Sequence, residues 1–172
     1  MVQLGRFQIE VRWSWTTLLA AYVVAGAVTA VAGGSLELGG RDGIVTHTAA
    51  FTALALAAAL FHELGHALAG LGFGRRPLRL VLKAGAAMQI EGARPGSRGE
   101  SAPAESLVAL SGPIASGLIA LAYFNVSTSF STPFAWAGLL AMFDGLVNLV
   151  PVVHSDGSRI LRAFTHPASP SR

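Results

Sequence analysis

Long apolar segments separated by short polar ones dominate the pattern of this chain. Four of them are long enough, or nearly so, to cross a hydrocarbon layer about 30 Å thick. The pattern therefore predicts an integral membrane protein that is mainly α-helical and crosses the bilayer four times. We place the spans at about residues 14–33, 45–72, 104–126 and 134–153.

Two other segments, about 7–13 and 78–91, alternate apolar and polar residues with the period of a β-strand. They predict a small membrane-associated β-sheet beside the four-helix core. Gly85, in the middle of the second segment, could mark a bulge or a close approach of another backbone. One interpretation is a sheet that simply packs on the membrane surface. The other is that its open edge receives an unfolded substrate segment by strand addition.

The pattern as a whole fits one domain over residues 1–165 and a flexible tail over 166–172. The first apolar segment has an alternative interpretation as a cleaved secretory signal, because residues 30–32 resemble a small-residue cleavage site. The segment is long and follows a strand pattern, which favours a first span that is retained.

Composition supports a lipid environment, since 52% of the residues are hydrophobic and 12% are charged. A soluble domain carries about twice that charged fraction. Cysteine is absent, so a bound metal would have to use histidine and carboxylate ligands. The net charge is +3, but the basic residues form no stripe with interleaved aromatics, and nucleic-acid binding is not expected.

The basic residues are distributed as four spans would require. Of the twelve Lys and Arg residues, all except Arg41 fall on one side if every apolar segment crosses the membrane. Positively charged loops stay in the cytoplasm. Both termini of this multi-pass protein are therefore predicted to be cytoplasmic.

The candidate chemistry lies inside the second apolar segment. From Thr48 to Leu71 the only ionisable side chains are His62, Glu63 and His66, in the order HExxH. On a helix, two histidines four residues apart share a face and can bind one ion. The glutamate can take a proton from a water molecule on that ion. Ionisable groups at membrane depth are costly and usually functional, so the motif predicts one zinc ion per chain.

A catalytic zinc needs a third protein ligand and an open position. The candidates are Asp144, His154 and Asp156, all in or after the fourth span. Pro151 breaks that span. A break at membrane depth is tolerated only in a cavity lined by protein or water, and it lets a carboxylate turn inward.

These motifs resemble those of the site-2 protease family of intramembrane zinc metalloproteases, in its compact prokaryotic type. HELGH at 62–66 matches the family's HExxH. NLVP at 148–151, followed by DG at 156–157, matches its NxxPxxxxDG. SGP at 111–113 resembles its small-Gly-Pro element. The resemblance covers nearly the whole chain.

The resemblance implies a role for each matching residue. His62, His66 and Asp156 would be the zinc ligands, and Glu63 the general base. Asn148 would position the substrate strand or steady the oxyanion.

Two further residues have supporting roles in this interpretation. His154 precedes Asp156 where the family commonly has Pro-Leu, and it could act as a gate, as a hydrogen-bond donor behind the metal, or as the third ligand itself. Asp144 lies one helical turn before Asn148 and shares its face.

The implied function is cleavage within the membrane. The substrates would be single-span membrane proteins, such as anti-sigma factors or other tethered regulators, in a prokaryotic cell membrane. The loops are too short for an inserted PDZ domain, so control is expected from a regulatory membrane partner or from an earlier cut in the substrate. Two alternatives stay open: an inactive zinc-binding pseudoprotease that serves as a scaffold, and a metal transporter.

Overall fold

The computed structural model describes residues 2–4, 7–12, 14–74, 77–83, 86–92, 102–153 and 155–165. Most of these residues are helical, which confirms the prediction of a mainly helical protein. The tail 166–172 lies outside the described residues. The helices are α1 (Ser14–Ala32), α2 (Ser35–Gly72), α3 (Ala102–Val126), α4 (Pro133–Leu149) and α5 (Asp156–Thr165).

In the described part of the chain, three helices are long and apolar enough to cross a membrane: α1, α3 and the part of α2 from Gly40 to Gly72. The fourth predicted span corresponds to α4, which is apolar but has only 17 residues. At 1.5 Å per residue α4 is about 25 Å long, close to the lower limit for a span.

The ends of the helices follow from local backbone chemistry. Gly34 takes a left-handed conformation (φ 76°) in the turn between α1 and α2. α2 begins at Ser35, ten residues before the predicted start of the second span at about residue 45. Gly40 (φ 55°, ψ −138°) interrupts the regular helical geometry of this added stretch. At the other end, α4 stops at Leu149 because Pro151 forces the residue before it, Val150, into an extended conformation (ψ 130°).

The helices pack through small residues and expose large apolar ones. Val24, Val28 and Leu118 are more than half exposed, as expected for side chains that face lipid. Small residues inside let helix backbones approach closely, which is how helices associate in membranes. The buried cluster comes from α2, α3 and α4 and consists of Phe51, Ala55, Ala58, Ala120, Tyr123, Ala137 and Ala141.

Among the residues that the structure describes, four strands pair in the order β1-β2-β3-β4. The central pair, β2 and β3, is parallel, which the long connection through α1 and α2 permits, and the outer pairs are antiparallel. β4 contacts α2. Gly85 falls between β3 and β4, outside the described residues. That the sheet lies on the membrane surface stays a prediction. The strands are β1 (Val2–Leu4), β2 (Phe7–Val11), β3 (Pro77–Lys83) and β4 (Ala86–Gly92).

Candidate metal centre

The two histidines of HELGH project from α2 towards α3. Their Nε2 atoms are 3.2 Å apart, and their side chains are only 8% (His62) and 14% (His66) exposed. Gly65 between them allows the close approach of α3, because a Cβ there would overlap the Ser111 carbonyl oxygen and lie 2.9 Å from Ala115 Cβ. The α2–α3 contact thus buries both imidazoles.

Asp156 reaches the same place from the start of α5. Ser155 caps this helix, since its Oγ accepts a hydrogen bond from the Ser158 amide at 3.1 Å. The same Oγ lies 2.6 Å from the Val150 carbonyl oxygen, so it also ties the cap to the broken end of α4. Gly157 follows, and a Cβ there would overlap the Leu149 carbonyl. The chain can therefore turn back sharply after α4, which brings Asp156 next to His62 and His66 on α2.

The three predicted ligands form a nearly equilateral triangle. Asp156 Oδ2 lies 3.2 Å from His62 Nε2 and 3.2 Å from His66 Nε2, the same distance that separates the two nitrogens. Zinc binds such donors at about 2.0–2.1 Å, which places neighbouring tetrahedral ligands about 3.3 Å apart. The donor set fits zinc in chemistry and spacing. Among the described residues, this group could hold a metal ion.

Charge and hydrogen bonding favour the ionised form of Asp156. Burial alone would raise the pKa of its carboxyl, but hydrogen bonds with His62 and His66 outweigh burial and leave the pKa below its ordinary value. Its other oxygen, Oδ1, lies 3.4 Å from Arg159 Nη1. The Arg159 guanidinium also donates to Glu105 Oε1 on α3, at 3.0 and 3.1 Å. These contacts connect α5 with α3.

The outer ring nitrogens of the two histidines have different partners. His66 Nδ1 lies 2.7 Å from the Val108 carbonyl oxygen, a backbone group on α3. His62 Nδ1 lies 2.8 Å from Ser116 Oγ and 3.2 Å from Asp144 Oδ2, both side chains. Such outer partners fix which nitrogen carries the hydrogen and which is left for a metal.

Gly112 gives the SGP element a physical role. A Cβ at this position would overlap the His66 ring and lie 2.7 Å from His62 Nε2. Pro113 follows it inside α3, and both residues are buried. Gly145 on α4 packs against the same turn, since its Cβ would lie 3.2 Å from the Pro113 carbonyl oxygen. Glycine is thus required where α3 passes the imidazoles.

The other predicted site residues have varied outcomes. Glu63 lies next to His62 on α2 and is partly buried. Asp144 contacts His62, and Asn148 Nδ2 donates to Asp144 Oδ1 at 3.1 Å. His154 and Gly85 fall outside the described residues, so their roles stay predictions.

Several contributors to this site were not identified from the sequence. Ser116 follows Gly112 by one turn and so shares the face of α3 that the SGP element marks. Ser155 begins a Ser-Asp-Gly-Ser run that is typical of a helix N-terminus. Arg159 lies three residues after Asp156, a spacing that brings the two side chains together on a helix. The signals at Ser155 and Arg159 have meaning only within the helix α5, and the signal at Ser116 only once α3 packs against α2.

One comparison with known proteins supports this fold. No protein-family model and no curated protein sequence matches the chain. Among solved structures, the site-2 protease from Methanocaldococcus jannaschii matches with a TM-score of 0.64 and 19% sequence identity, over 96% of this chain and 70% of that one. At this identity the likeness shows the fold alone. The chain has a site-2-protease-like fold, as the resemblance of its motifs predicted.

Proposed function

We propose that this protein is an intramembrane zinc endopeptidase that cleaves transmembrane segments of membrane-anchored proteins. The observation that carries the proposal is the triangle of His62, His66 and Asp156, buried among apolar helices with zinc-like spacing. The site-2-protease-like fold supports it. One zinc ion per chain would bind at this triangle, and its fourth position would be open to water and substrate.

The remaining residues of the motif supply the proton chemistry. When bound, zinc makes a water molecule acidic enough to lose a proton near neutral pH and polarises a peptide carbonyl. Glu63, one residue after His62 on α2, would accept that proton at its carboxylate and return it to the departing amide nitrogen. A pure metal-binding site has no need of such a base, which favours hydrolysis over transport.

The membrane arrangement belongs to the same proposal. α1, α2, α3 and the shorter α4 would be the four spans of a prokaryotic cell-membrane protein with both termini in the cytoplasm. The charge distribution supports this orientation, because nearly all basic residues fall on one side of such a topology. HELGH, towards the end of α2, would then act near the cytoplasmic face.

The proposed substrates are single-span membrane proteins such as anti-sigma factors or other tethered regulators. A peptide bond inside a helix is shielded, so the substrate must unwind locally, which Gly or Pro near the cleavage point would ease. The unwound segment could pair with the outer edge of β4, the strand that contacts α2. A regulatory membrane partner would decide when a substrate is admitted.

The test compares purified wild type with Glu63→Gln and Asp156→Ala in zinc content and in cleavage of a panel of tagged membrane spans. We expect wild type to hold one zinc and to cut at least one span. Glu63→Gln should keep its zinc and lose cleavage, whereas Asp156→Ala should bind zinc much more weakly and lose cleavage as well.

Other outcomes would favour the alternatives. Zinc binding with no cleavage by wild type or Glu63→Gln on any span would support a scaffold. Zinc flux into liposomes without peptide hydrolysis would support a transporter.

A further inference from the structure

The contacts of His62 Nδ1, the ring nitrogen that faces away from the metal triangle, suggest a role for Asn148. His62 Nε2 faces Asp156 and His66, so a metal at the triangle would be bound through Nε2. The hydrogen of the neutral ring must then sit on Nδ1 and needs an acceptor. Nδ1 has two oxygen neighbours, Ser116 Oγ at 2.8 Å and Asp144 Oδ2 at 3.2 Å.

The direction of these hydrogen bonds is set by the carboxylate. Ser116 Oγ donates to Asp144 Oδ2 at 3.3 Å, and an ionised carboxylate can only accept. Ser116 can therefore accept from His62 while it donates to Asp144. Whether His62 donates directly or through the hydroxyl, the chain of donors ends at Asp144.

Asn148 holds Asp144 from the next turn of α4. Its Nδ2 lies 3.1 Å from Asp144 Oδ1 and 3.1 Å from the Asp144 carbonyl oxygen. The Asn148 amide thus binds Oδ1 of the Asp144 carboxylate, while Oδ2 of the same carboxylate faces His62. In the part of the chain that the structure describes, these hydrogen bonds turn Asn148 towards Asp144.

Burial shows why the arrangement needs this support. The His62 side chain is 8% exposed and Ser116 is 1% exposed, so their polar atoms depend on partners inside the protein. The Asp144 side chain is 46% exposed, on a helix that is apolar apart from Asp144 and Asn148. A carboxylate is costly at such a position, and hydrogen bonds from His62, Ser116 and Asn148 offset that cost.

We propose that Asn148, Asp144 and Ser116 form a support network that holds His62 with its hydrogen on Nδ1, and that Asn148 acts on the metal through Asp144. This rests on the proposed function only in taking zinc as the ion at the triangle. It assigns Asn148 as a positioning residue, in place of the substrate contact that the motif resemblance implies. His66 has no need of such a network because its outer partner is a backbone carbonyl.

The test is zinc affinity, measured by competition with a chelator, in wild type, Asp144→Asn, Asn148→Ala and the double variant. Loss of an outer partner typically weakens metal binding about tenfold to a hundredfold, which we expect for Asp144→Asn. Asn148→Ala should weaken binding by a smaller factor. The double variant should bind no more weakly than Asp144→Asn alone, because Asn148 acts through that carboxylate.

Asn125→Ala is the matched control, since Asn125 is an exposed asparagine that donates to the Leu121 carbonyl in its own helix. It should leave zinc affinity unchanged. Ser116→Ala adds an independent arm: it keeps the direct contact between His62 and Asp144 and should weaken binding less than Asp144→Asn. The absorption spectrum of cobalt-loaded protein reports ligand geometry in each variant independently of cleavage.

Unchanged zinc affinity in Asn148→Ala, together with a raised KM for a membrane-span substrate, would overturn the proposal in favour of a substrate contact. So would losses that simply add in the double variant. If wild type binds no zinc, the proposed function itself fails. If wild type binds zinc and cleaves while Asn148→Ala keeps full affinity, only this inference fails.

Discussion

The two halves of the candidate metal centre are brought together by different means. His62 and His66 lie one turn apart on α2, so the helical repeat alone puts both imidazoles on one face. Asp156 opens α5, and its place depends on the Ser155 cap, on the break after α4 and on contacts with α3. The histidine half is built by local geometry and the aspartate half by tertiary contacts.

This difference teaches how each half should fail. The two histidines need empty space beside α3, which Gly112 provides. A single side chain that fills this space should therefore abolish metal binding by both histidines. The aspartate half is held by several separate contacts, including Gly157 and Arg159, so it should weaken in steps.

The largest effect is expected for Gly112→Ala. The added Cβ would overlap the His66 ring and crowd His62 Nε2, which displaces the nitrogens from a bound metal. Zinc supplies several kcal/mol of catalytic stabilisation, so cleavage should fall at least about a thousandfold together with zinc content. Metal analysis and a cleavage assay on the same preparation measure both.

Gly117→Ala on the same helix is the control. A Cβ at Gly117 meets nothing within 4 Å. Alanine favours a helix over glycine by about 0.5–1 kcal/mol, so this variant should be as active and slightly more stable. Equal zinc content in the two alanine variants would contradict the steric role of Gly112.

A smaller effect is expected for Gly157→Ala. Its Cβ would overlap the Leu149 carbonyl, which pushes α5 and Asp156 away while both histidines stay in place. Zinc affinity should fall at least about tenfold without being abolished. Chelator competition measures the loss, and Gly72→Ala, where a Cβ meets nothing within 4 Å, is the control. Wild-type affinity in Gly157→Ala would show that the fold-back of α5 does not depend on this glycine.

The smallest effect is expected for Arg159→Met. Arg159 links Asp156 Oδ1 to Glu105, but both members of the Arg159–Glu105 pair are partly exposed. Such a pair contributes at most about 1 kcal/mol, so zinc affinity should weaken about two- to fivefold. Arg162 donates hydrogen bonds to Ser158 within α5, so Arg162→Met should leave the zinc affinity unchanged. If Arg162→Met weakens zinc binding as much as Arg159→Met does, the link from Arg159 to α3 has no specific role at the site.

The comparison also explains what could be predicted from the sequence. The shared face of His62 and His66 follows from helix geometry, and Pro151 marks the break after α4, so both were accessible without a structure. Asp156 was chosen over Asp144 and His154 by the resemblance of its motif. The structure brings Asp156 to the two histidines, and it places Asp144 behind His62 instead of at the triangle.

The remaining parts depend on contacts far apart in the chain. Ser116 meets His62 only because α3 crosses α2 at Gly65 and Gly112, and no periodicity reveals that crossing. α5 was not predicted because ten residues stand out little beside the long apolar spans, although the Ser155 cap and the apolar Ile160, Leu161 and Phe164 fit a short amphipathic helix. The helical stretch before residue 45, with its break at Gly40, was not predicted because the polar, glycine-rich residues from Gly39 to Gly43 look like a loop.

The most direct test of the central claim is X-ray absorption at the zinc edge, on wild type and on Asp156→Ala. The claim is that His62, His66 and Asp156 together hold one zinc ion. We expect two imidazole nitrogens and a carboxylate oxygen around zinc in wild type. Zinc in Asp156→Ala should be bound more weakly, with both imidazoles retained and the carboxylate lost. Identical spectra in the two proteins, or fewer than two imidazoles in wild type, would contradict the account.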